Sequence, residues 1–134
     1  MLFRSVMQSF THITVEGGGP LEGTVPVGGA KNSVLKLMAA TLLAEGRYVL
    51  SNVPRITDVD LMSELLRATG CTVARDGLSL TIDVPSEIEP VAPYEIVEQF
   101  RASIVVMGPM LARCGEARVA LPGGDDFEIG RAHV

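Results

Sequence analysis

Aromatic residues and positive charge are both scarce in this sequence. Only 4% of its 134 residues are aromatic, none is tryptophan, and the formal net charge is −5. A nucleic-acid-binding surface is usually basic and often offers aromatic rings for base stacking, so the composition argues against one. The composition does not exclude a small anionic ligand, because the local charge of a pocket decides whether such a ligand binds.

Cysteines and long apolar runs are scarce as well. Cys71 and Cys114 are the only cysteines, too few for a disulfide framework, and we interpret both as buried or half-buried thiols in a reducing compartment. The apolar stretch 35–44 carries Lys36 and is too short to cross a bilayer, and residues 1–10 lack the apolar region of a signal peptide. With 47% hydrophobic residues, the sequence predicts one small globular domain in the cytoplasm.

Apolar periodicity and turn residues predict a β-α-β-α-β-β unit between residues 24 and 84. Thr57 or Asp58 is the predicted N-cap of its second helix, and Arg75-Asp76-Gly77 predicts a hairpin turn. The predicted elements are strand 24–28, helix 33–45 ended by Gly46, strand 47–51, helix 57–69 ended by Gly70, and strands 71–74 and 78–84. The predicted buried helix faces are Val34, Leu37, Met38, Thr41 and Leu42, then Val59, Met62, Leu65 and Leu66.

The rest of the sequence predicts the start of a second copy of this unit. After a proline-rich connector at 85–93, a long helix is predicted at 94–114, kinked or split by Gly108-Pro109. A strand at 117–121 then leads to a second glycine turn that ends at Asp125. A copy that begins at Tyr94 and is not completed indicates a repeat fold that is cut short.

The loop Gly28-Gly29-Ala30-Lys31-Asn32 stands between a predicted strand and a predicted helix. Glycines let the backbone turn tightly and let a ligand approach it closely. The helix that follows presents unpaired N–H groups and the positive end of its dipole, and Lys31 adds a full charge. The loop therefore predicts a phosphate or carboxylate site, with a plain turn and a solvated lysine as the simpler alternative.

Several motifs occur in the order and at the intervals typical of one known family. They are Gly17-Gly18-Gly19-Pro20-Leu21-Glu22-Gly23, Gly29-Ala30-Lys31-Asn32-Ser33, Asn52-Val53-Pro54 with Asp58-Val59, Phe100-Arg101-Ala102-Ser103, Gly108-Pro109 and Leu121-Pro122-Gly123-Gly124-Asp125. Over about residues 13–125 the sequence resembles the enolpyruvyl transferase family. The resemblance implies an inside-out α/β barrel built of β-α-β-α-β-β units, of which this chain would hold one complete unit and part of a second.

Within the family, the resemblance is closer to the branch that acts on UDP-N-acetylglucosamine at the first committed step of peptidoglycan synthesis. The shikimate-type branch is the alternative. It fits less well, because it usually has serine where this chain has Asn32. The implied reaction transfers the enolpyruvyl group of phosphoenolpyruvate to the 3-hydroxyl of the amino sugar and releases phosphate, with no metal or organic cofactor. A further alternative is that the chain is not an enzyme but a non-catalytic module that binds an anion at the Lys31 loop.

The resemblance also assigns roles to individual residues. Lys31 matches the family lysine that contacts phosphoenolpyruvate, and Asn32 matches its neighbour at the sugar and phosphate end. Arg101 matches an arginine of the substrate pocket. The reaction needs cations around phosphate and carboxylate, which these side chains would supply. The simpler alternatives are a helix cap for Asn32 and a solvated helix charge for Arg101.

Asp125 matches the loop position at which most family members carry a cysteine. To protonate C3 of phosphoenolpyruvate an aspartate must itself be protonated, so its pKa would have to rise through burial or nearby substrate anions. We expect such an enzyme to resist epoxides that alkylate the usual cysteine. The alternatives are a turn-stabilising role for Asp125, or Asp126 as the residue that enters the site. Cys114 does not match the loop and is given no role.

The resemblance weakens at both ends of the chain. Arg131 is out of register with a family arginine that binds ligand, and residues 2–5 and 128–134 can be encoded by sequences that resemble sequencing adapters. We therefore expect a crossover strand region at 6–23, a partial first domain at 24–127, and non-native residues at 1–5 and 128–134. Because the second domain would be missing, we expect the chain alone to be inactive and to expose apolar surface.

Overall fold

The computed structural model describes residues 14–120, and regular structure begins at Lys31. The segment 14–30 contains neither helix nor strand, and the predicted strand at 24–28 is wrong. Val25 and Val27 are 83% and 89% exposed, so this apolar run has no face buried against the rest of the chain. Pro26, which lacks an N–H group, further weakens any strand ladder there.

Helix α1 (Lys31–Ala40) continues into a 3-10 turn (Thr41–Leu43) and then strand β1 (Gly46–Leu50). The predicted helix and strand are confirmed, although the helix begins two residues earlier than expected. Its buried residues are Val34, Leu35, Met38 and Ala39, followed by Thr41 and Leu42 in the 3-10 turn. The prediction of Leu37 in the buried face is wrong, because that side chain is 54% exposed and Leu35 is buried instead.

Helix α2 (Thr57–Ala68) is the helix that the sequence predicted best. Its face of Val59, Met62, Leu65 and Leu66 is completely buried. Gly70, with φ 99°, ends it, and a 3.1 Å hydrogen bond from Cys71 N–H to the Leu66 carbonyl closes the last turn. The predicted cap is wrong, because Ile56 occupies the N-cap position and Thr57 and Asp58 are already helical.

An antiparallel sheet of order β1-β3-β2 packs beside these helices, with strands β2 (Thr72–Asp76) and β3 (Ser79–Val84). The predicted hairpin is confirmed, but its turn is Gly77-Leu78, with Asp76 still paired to Ser79. Gly77 has a φ of 57°, which glycine adopts at low cost. Val73, Leu80, Ile82 and Val84 point from this sheet into the core.

The second part of the chain is a crossover between two short parallel strands. The crossover begins with strand β4 (Val91–Ala92) and ends with strand β5 (Arg118–Val119). Between them along the chain lie helix α3 (Tyr94–Val97), a 3-10 helix (Arg101–Val106) and helix α4 (Met107–Cys114). The second copy therefore starts at β4, before the predicted Tyr94. The predicted long helix breaks at 98–100, whereas Pro109 lies in the first turn of α4, where its missing N–H is not needed.

One core joins both parts of the chain. Met38, Met62 and Met110, from three different helices, are all completely buried in it. Cys71 is buried as predicted, and desolvation raises the pKa of its thiol. Cys114 is exposed, so the expectation of a buried or half-buried thiol is wrong there, because it lies on the last turn of α4. Among residues 14–120 no helix is both long and apolar enough to span a membrane.

Candidate active site

Lys31 is the first residue of α1, and that end of the helix is open to a ligand. Ala30 is the N-cap, with extended backbone (φ −83°, ψ 130°), and its side chain cannot cap the helix. Within the described part of the chain, the first turn of α1 contains no acidic residue. Its first N–H groups therefore have no partner within the helix and lie at the positive end of the helix dipole. This is a helix end that suits a phosphate or carboxylate.

Asn32 is the second residue of α1, and its side chain is exposed. The capping role considered for it is wrong, because the residue already has helical backbone and Ala30 holds the cap position. Asn32 therefore stands beside Lys31 on the open turn of the helix, where its amide can reach a bound molecule.

At Gly29 the loop before α1 packs closely against the turn that precedes α2. A Cβ atom at Gly29 would overlap the Asn52 carbonyl oxygen and lie 3.0 Å from Cδ of Pro54. Asn52 itself has a φ of 55°, and its side-chain amide donates a long 3.5 Å hydrogen bond to the Val27 carbonyl. The close approach requires glycine at 29, whereas a Cβ at Gly28 would meet nothing within 4 Å.

Lys31 forms an ion pair with Asp58 in the first turn of α2. Its Nζ lies 2.7 Å from Oδ2 of Asp58, and the two side chains are 55% and 25% exposed. Since the pair is partly solvated, it contributes little to stability, about 1 kcal/mol or less. Its main consequence is geometric, because it holds the ammonium group between the starts of two helices that pack together.

A groove of about 310 Å³ adjoins this loop. Gly29, Ala30 and Ser33 line it from the α1 side, and Val49, Leu50 and Asn52 line it from β1 and the turn that follows. Among residues 14–120 β1 is an edge strand of its sheet, so the groove lies beside an unpaired strand edge. The groove is thus lined by the residues on either side of Lys31 and is large enough for a small ligand.

Arg101 is the first residue of the 3-10 helix that packs against α1. Its side chain is exposed and follows the buried Phe100, which anchors this element in the core. In the described part of the chain Arg101 has no salt bridge. The structure therefore places Lys31 and Asn32 side by side and Arg101 on a neighbouring element.

The remaining predicted site residue, Asp125, lies outside the described residues, as do Asp126 and Arg131. Sequence reasoning also missed part of the site. It considered Asp58 only as a cap and a motif residue, although the structure makes it the partner of Lys31. The Asn52-Val53-Pro54 motif was a usable signal, because that turn is what Gly29 packs against.

Comparison with known proteins places this arrangement in a family. The family model described as EPSP synthase (3-phosphoshikimate 1-carboxyvinyltransferase) matches residues 15–129. A UDP-N-acetylglucosamine 1-carboxyvinyltransferase of Corynebacterium efficiens is 57% identical over 111 residues, covering 83% of this chain and 26% of the relative. The proteins of the same name from Mycobacterium bovis and Anaeromyxobacter sp. are 59% and 51% identical over 83% and 84% of this chain, and each is covered to 27%.

A solved structure agrees with these sequence matches. The enolpyruvyl transferase NikO from Streptomyces tendae superimposes with a TM-score of 0.64 at 27% identity, over 75% of this chain and 24% of NikO. This match confirms the predicted enolpyruvyl transferase-like α/β fold class, with the first strand of the first unit not formed. The chain spans about a quarter of the length of the curated relatives that it matches. From motifs, fold and relatives together, the chain belongs to the enolpyruvyl transferase family that the EPSP synthase model describes.

Proposed function

We propose that this chain is the part of a cytoplasmic UDP-N-acetylglucosamine 1-carboxyvinyltransferase that binds phosphoenolpyruvate. The observation that carries the proposal is Lys31 at the open, uncapped start of α1. In the proposed reaction the 3-hydroxyl of the amino sugar gives up its proton and attacks C2 of phosphoenolpyruvate while C3 is protonated. The adduct then loses phosphate and a proton from C3, which restores the double bond. The names of relatives at 51–59% identity support UDP-N-acetylglucosamine as the acceptor and a carboxyvinyl group as the group transferred.

Lys31 and the first N–H groups of α1 would bind the anionic groups of phosphoenolpyruvate. Charge on the leaving phosphate grows as the adduct breaks down, so a fixed cation and helix dipole stabilise that step. A lysine suits the role because its compact ammonium can follow the phosphate as it departs. Asp58 would hold Lys31 in place before substrate arrives and share its ammonium afterwards, since the pair is partly exposed.

Asn32 and Arg101 would complete the binding of the substrates. Asn32 lies next to Lys31 on the open turn and would reach the sugar and phosphate end. Arg101 would approach from the neighbouring 3-10 helix as a second cation. Asp125 would donate the proton to C3, which requires a carboxyl whose pKa is raised by burial or by the substrate anions.

Catalysis would also need residues outside this chain, because the chain spans only about a quarter of its relatives. We therefore propose that residues 1–134 bind phosphoenolpyruvate weakly and do not turn it over. Turnover of both substrates by the purified chain would refute the second statement.

The test is a titration of the isotope-labelled chain with phosphoenolpyruvate, followed by NMR shifts of the backbone amides of residues 29–33. Lys31→Ala should weaken binding at least about tenfold, equivalent to about 1.4 kcal/mol. The matched control is Lys36→Ala, because Lys36 is an exposed lysine of the same helix one turn further along. Its affinity should change by less than about twofold, since dipole and N–H effects are confined to the first turn.

The sugar substrate separates the two branches of the family. UDP-N-acetylglucosamine added with phosphoenolpyruvate should shift the resonance of the Asn32 side-chain amide, whereas shikimate 3-phosphate should not. Selective shifts with shikimate 3-phosphate would favour the shikimate-type reaction instead. No difference between wild type and Lys31→Ala with any ligand would contradict the proposed site itself.

A further inference from the structure

Among residues 14–120, Asn52 is the one non-glycine residue whose φ is positive. Its φ is 55°, and it lies in the connection between β1 and α2. A positive φ is costly for most side chains, and least so for those of asparagine and aspartate. Sparsely populated backbone conformations are concentrated at binding and catalytic sites, where the surrounding structure maintains them. The conformation of Asn52 therefore points to a role in the neighbouring Lys31 site.

The residues that follow Asn52 fix it in this conformation. Val53 is only 1% exposed, and its N–H donates a 2.8 Å hydrogen bond to the Leu78 carbonyl, in the hairpin turn between β2 and β3. Pro54 restricts the backbone of Val53 to extended conformations. The turn is thus anchored in the core after Asn52 and by β1 before it, which leaves Asn52 little freedom to move.

Asn52 contacts the loop before α1 at two points. Its carbonyl oxygen lies so close to Gly29 that a Cβ atom there would overlap it. Its side-chain amide donates a long 3.5 Å hydrogen bond to the Val27 carbonyl. The two contacts lie on either side of Gly28, and the N-cap residue Ala30 follows directly. One residue therefore fixes the backbone from which α1 and Lys31 begin.

In the described part of the chain, burial and regular structure contribute little to the position of this loop. Val27 is 89% exposed, and residues 14–30 form neither a helix nor a strand. An exposed segment without ladder hydrogen bonds is expected to sample several conformations. Asp58 contributes a contact from the same connection as Asn52, but it acts on the ammonium group of Lys31 and not on the backbone.

We infer that Asn52 is the positioning residue of the Lys31 loop. It fixes the backbone so that Lys31 and the first N–H groups of α1 meet the same anion, and it acts through them. The inference rests on the proposed phosphoenolpyruvate site. Asparagine suits the role because it accepts a positive φ and also donates a side-chain hydrogen bond, whereas glycine accepts the φ only. A loop that is already in position spares the ligand the cost of ordering it.

Two variants separate the backbone of Asn52 from its side chain. Asn52→Gly keeps the positive φ and removes the amide, so it should weaken phosphoenolpyruvate binding about threefold. Its midpoint of thermal unfolding should stay within about 2 °C of wild type. Asn52→Ala also strains the backbone, so it should weaken binding at least about tenfold and lower the midpoint.

Thr57→Ala is the matched control. It removes a neutral, exposed polar side chain at the point where the same connection meets α2. Its affinity for phosphoenolpyruvate should stay within about 1.5-fold of wild type, because surface substitutions away from special contacts have small effects. A loss of affinity in Thr57→Ala as large as that in Asn52→Gly would overturn the inference.

The ligand-free chain gives a second readout that does not depend on phosphoenolpyruvate. The heteronuclear NOE of the Gly29, Ala30 and Lys31 amides reports fast backbone motion, and it should fall in Asn52→Gly but not in Thr57→Ala. Unchanged loop order and affinity in Asn52→Gly would overturn the inference. So would a lower midpoint with both unchanged, because Asn52 would then stabilise the fold without positioning the loop.

Lys31→Ala distinguishes a failure of this inference from a failure of the proposed function. If wild type and Lys31→Ala bind phosphoenolpyruvate equally, the proposed site is wrong, and the loop order of the ligand-free chain decides whether Asn52 positions the loop. If Lys31→Ala weakens binding and Asn52→Gly does not, the proposed site stands and the inference about Asn52 fails.

Discussion

Two segments of this chain carry similar sequence patterns and fold differently. In residues 91–119, β4 pairs in parallel with β5 across a helical crossover, and Ala92 of β4 is buried. In residues 24–50, the apolar run before α1 forms no strand, although β1 follows the helix in the same way. Within the part of the chain that the structure describes, β1 keeps an unpaired edge, and its Val49 is 63% exposed.

The difference lies in what holds each crossover to the core. The second crossover is tied to the rest of the chain by Arg113, whose guanidinium donates to the carbonyls of Leu42, Pro85 and Ser86 at 2.6–3.1 Å. The segment before α1 is held chiefly at its end, where Gly29 meets the Asn52 turn. An apolar run therefore becomes a strand only when tertiary contacts bring it to a partner and bury one of its faces.

The largest effect in this comparison is expected from Arg113→Met. It removes three hydrogen bonds from a charged donor, so we expect the free energy of unfolding to fall by about 2–3 kcal/mol. Urea denaturation measures the loss, and hydrogen exchange should show weaker protection at β4 and β5 than at β1 and β3. Arg118→Met is the control, because the Arg118 side chain is exposed on β5. A loss of stability as large as that of Arg113→Met would contradict the claim that the hydrogen bonds of Arg113 hold this crossover to the core.

A smaller effect is expected within the first region, at the pair of Arg47 and Asp83. These residues lie opposite each other on β1 and β3, and the Arg47 guanidinium, through its hydrogen bonds, lowers the pKa of the Asp83 carboxyl. A lowered carboxyl pKa means that the stabilisation is present above the unfolded-state pKa, about 3.9, and is lost as pH falls through the folded-state value.

Asp83→Asn should therefore lower the urea midpoint slightly at pH 7 and leave it unchanged at pH 2. Both side chains are well exposed, so solvent screens the pair and the effect at pH 7 stays small. A midpoint difference that grows on acidification would contradict this sign.

The parts of the fold that sequence could predict are those fixed by local periodicity. The apolar face of α2 was predicted, because its residues recur at helical spacing and Gly70 supplies a stop signal, whereas the buried Ser63 was not predicted. Local periodicity could not show whether residues 24–28 form a strand, because strand formation depends on a partner elsewhere in the chain. The division of residues 94–114 was misplaced because Pro109 is tolerated in a first helical turn.

The candidate site divides in the same way. The Lys31 loop was predictable, since glycines before a helix and a lysine at its start form one continuous motif. The partnership of Lys31 with Asp58 was not, because it joins residues 27 positions apart (58 less 31) whose meeting depends on how α1 packs on α2. The role of Asp125 stays a prediction.

The most direct test of this account compares two adjacent glycines by their effect on phosphoenolpyruvate binding. Gly29→Ala places a Cβ against the Asn52 carbonyl and should displace the Lys31 loop. The Cβ that Gly28→Ala adds has no atom within 4 Å. We expect Gly29→Ala to weaken phosphoenolpyruvate binding at least about tenfold and Gly28→Ala to change it by less than about twofold. Equal affinities for the two variants would contradict the claim that this loop positions Lys31 for the ligand.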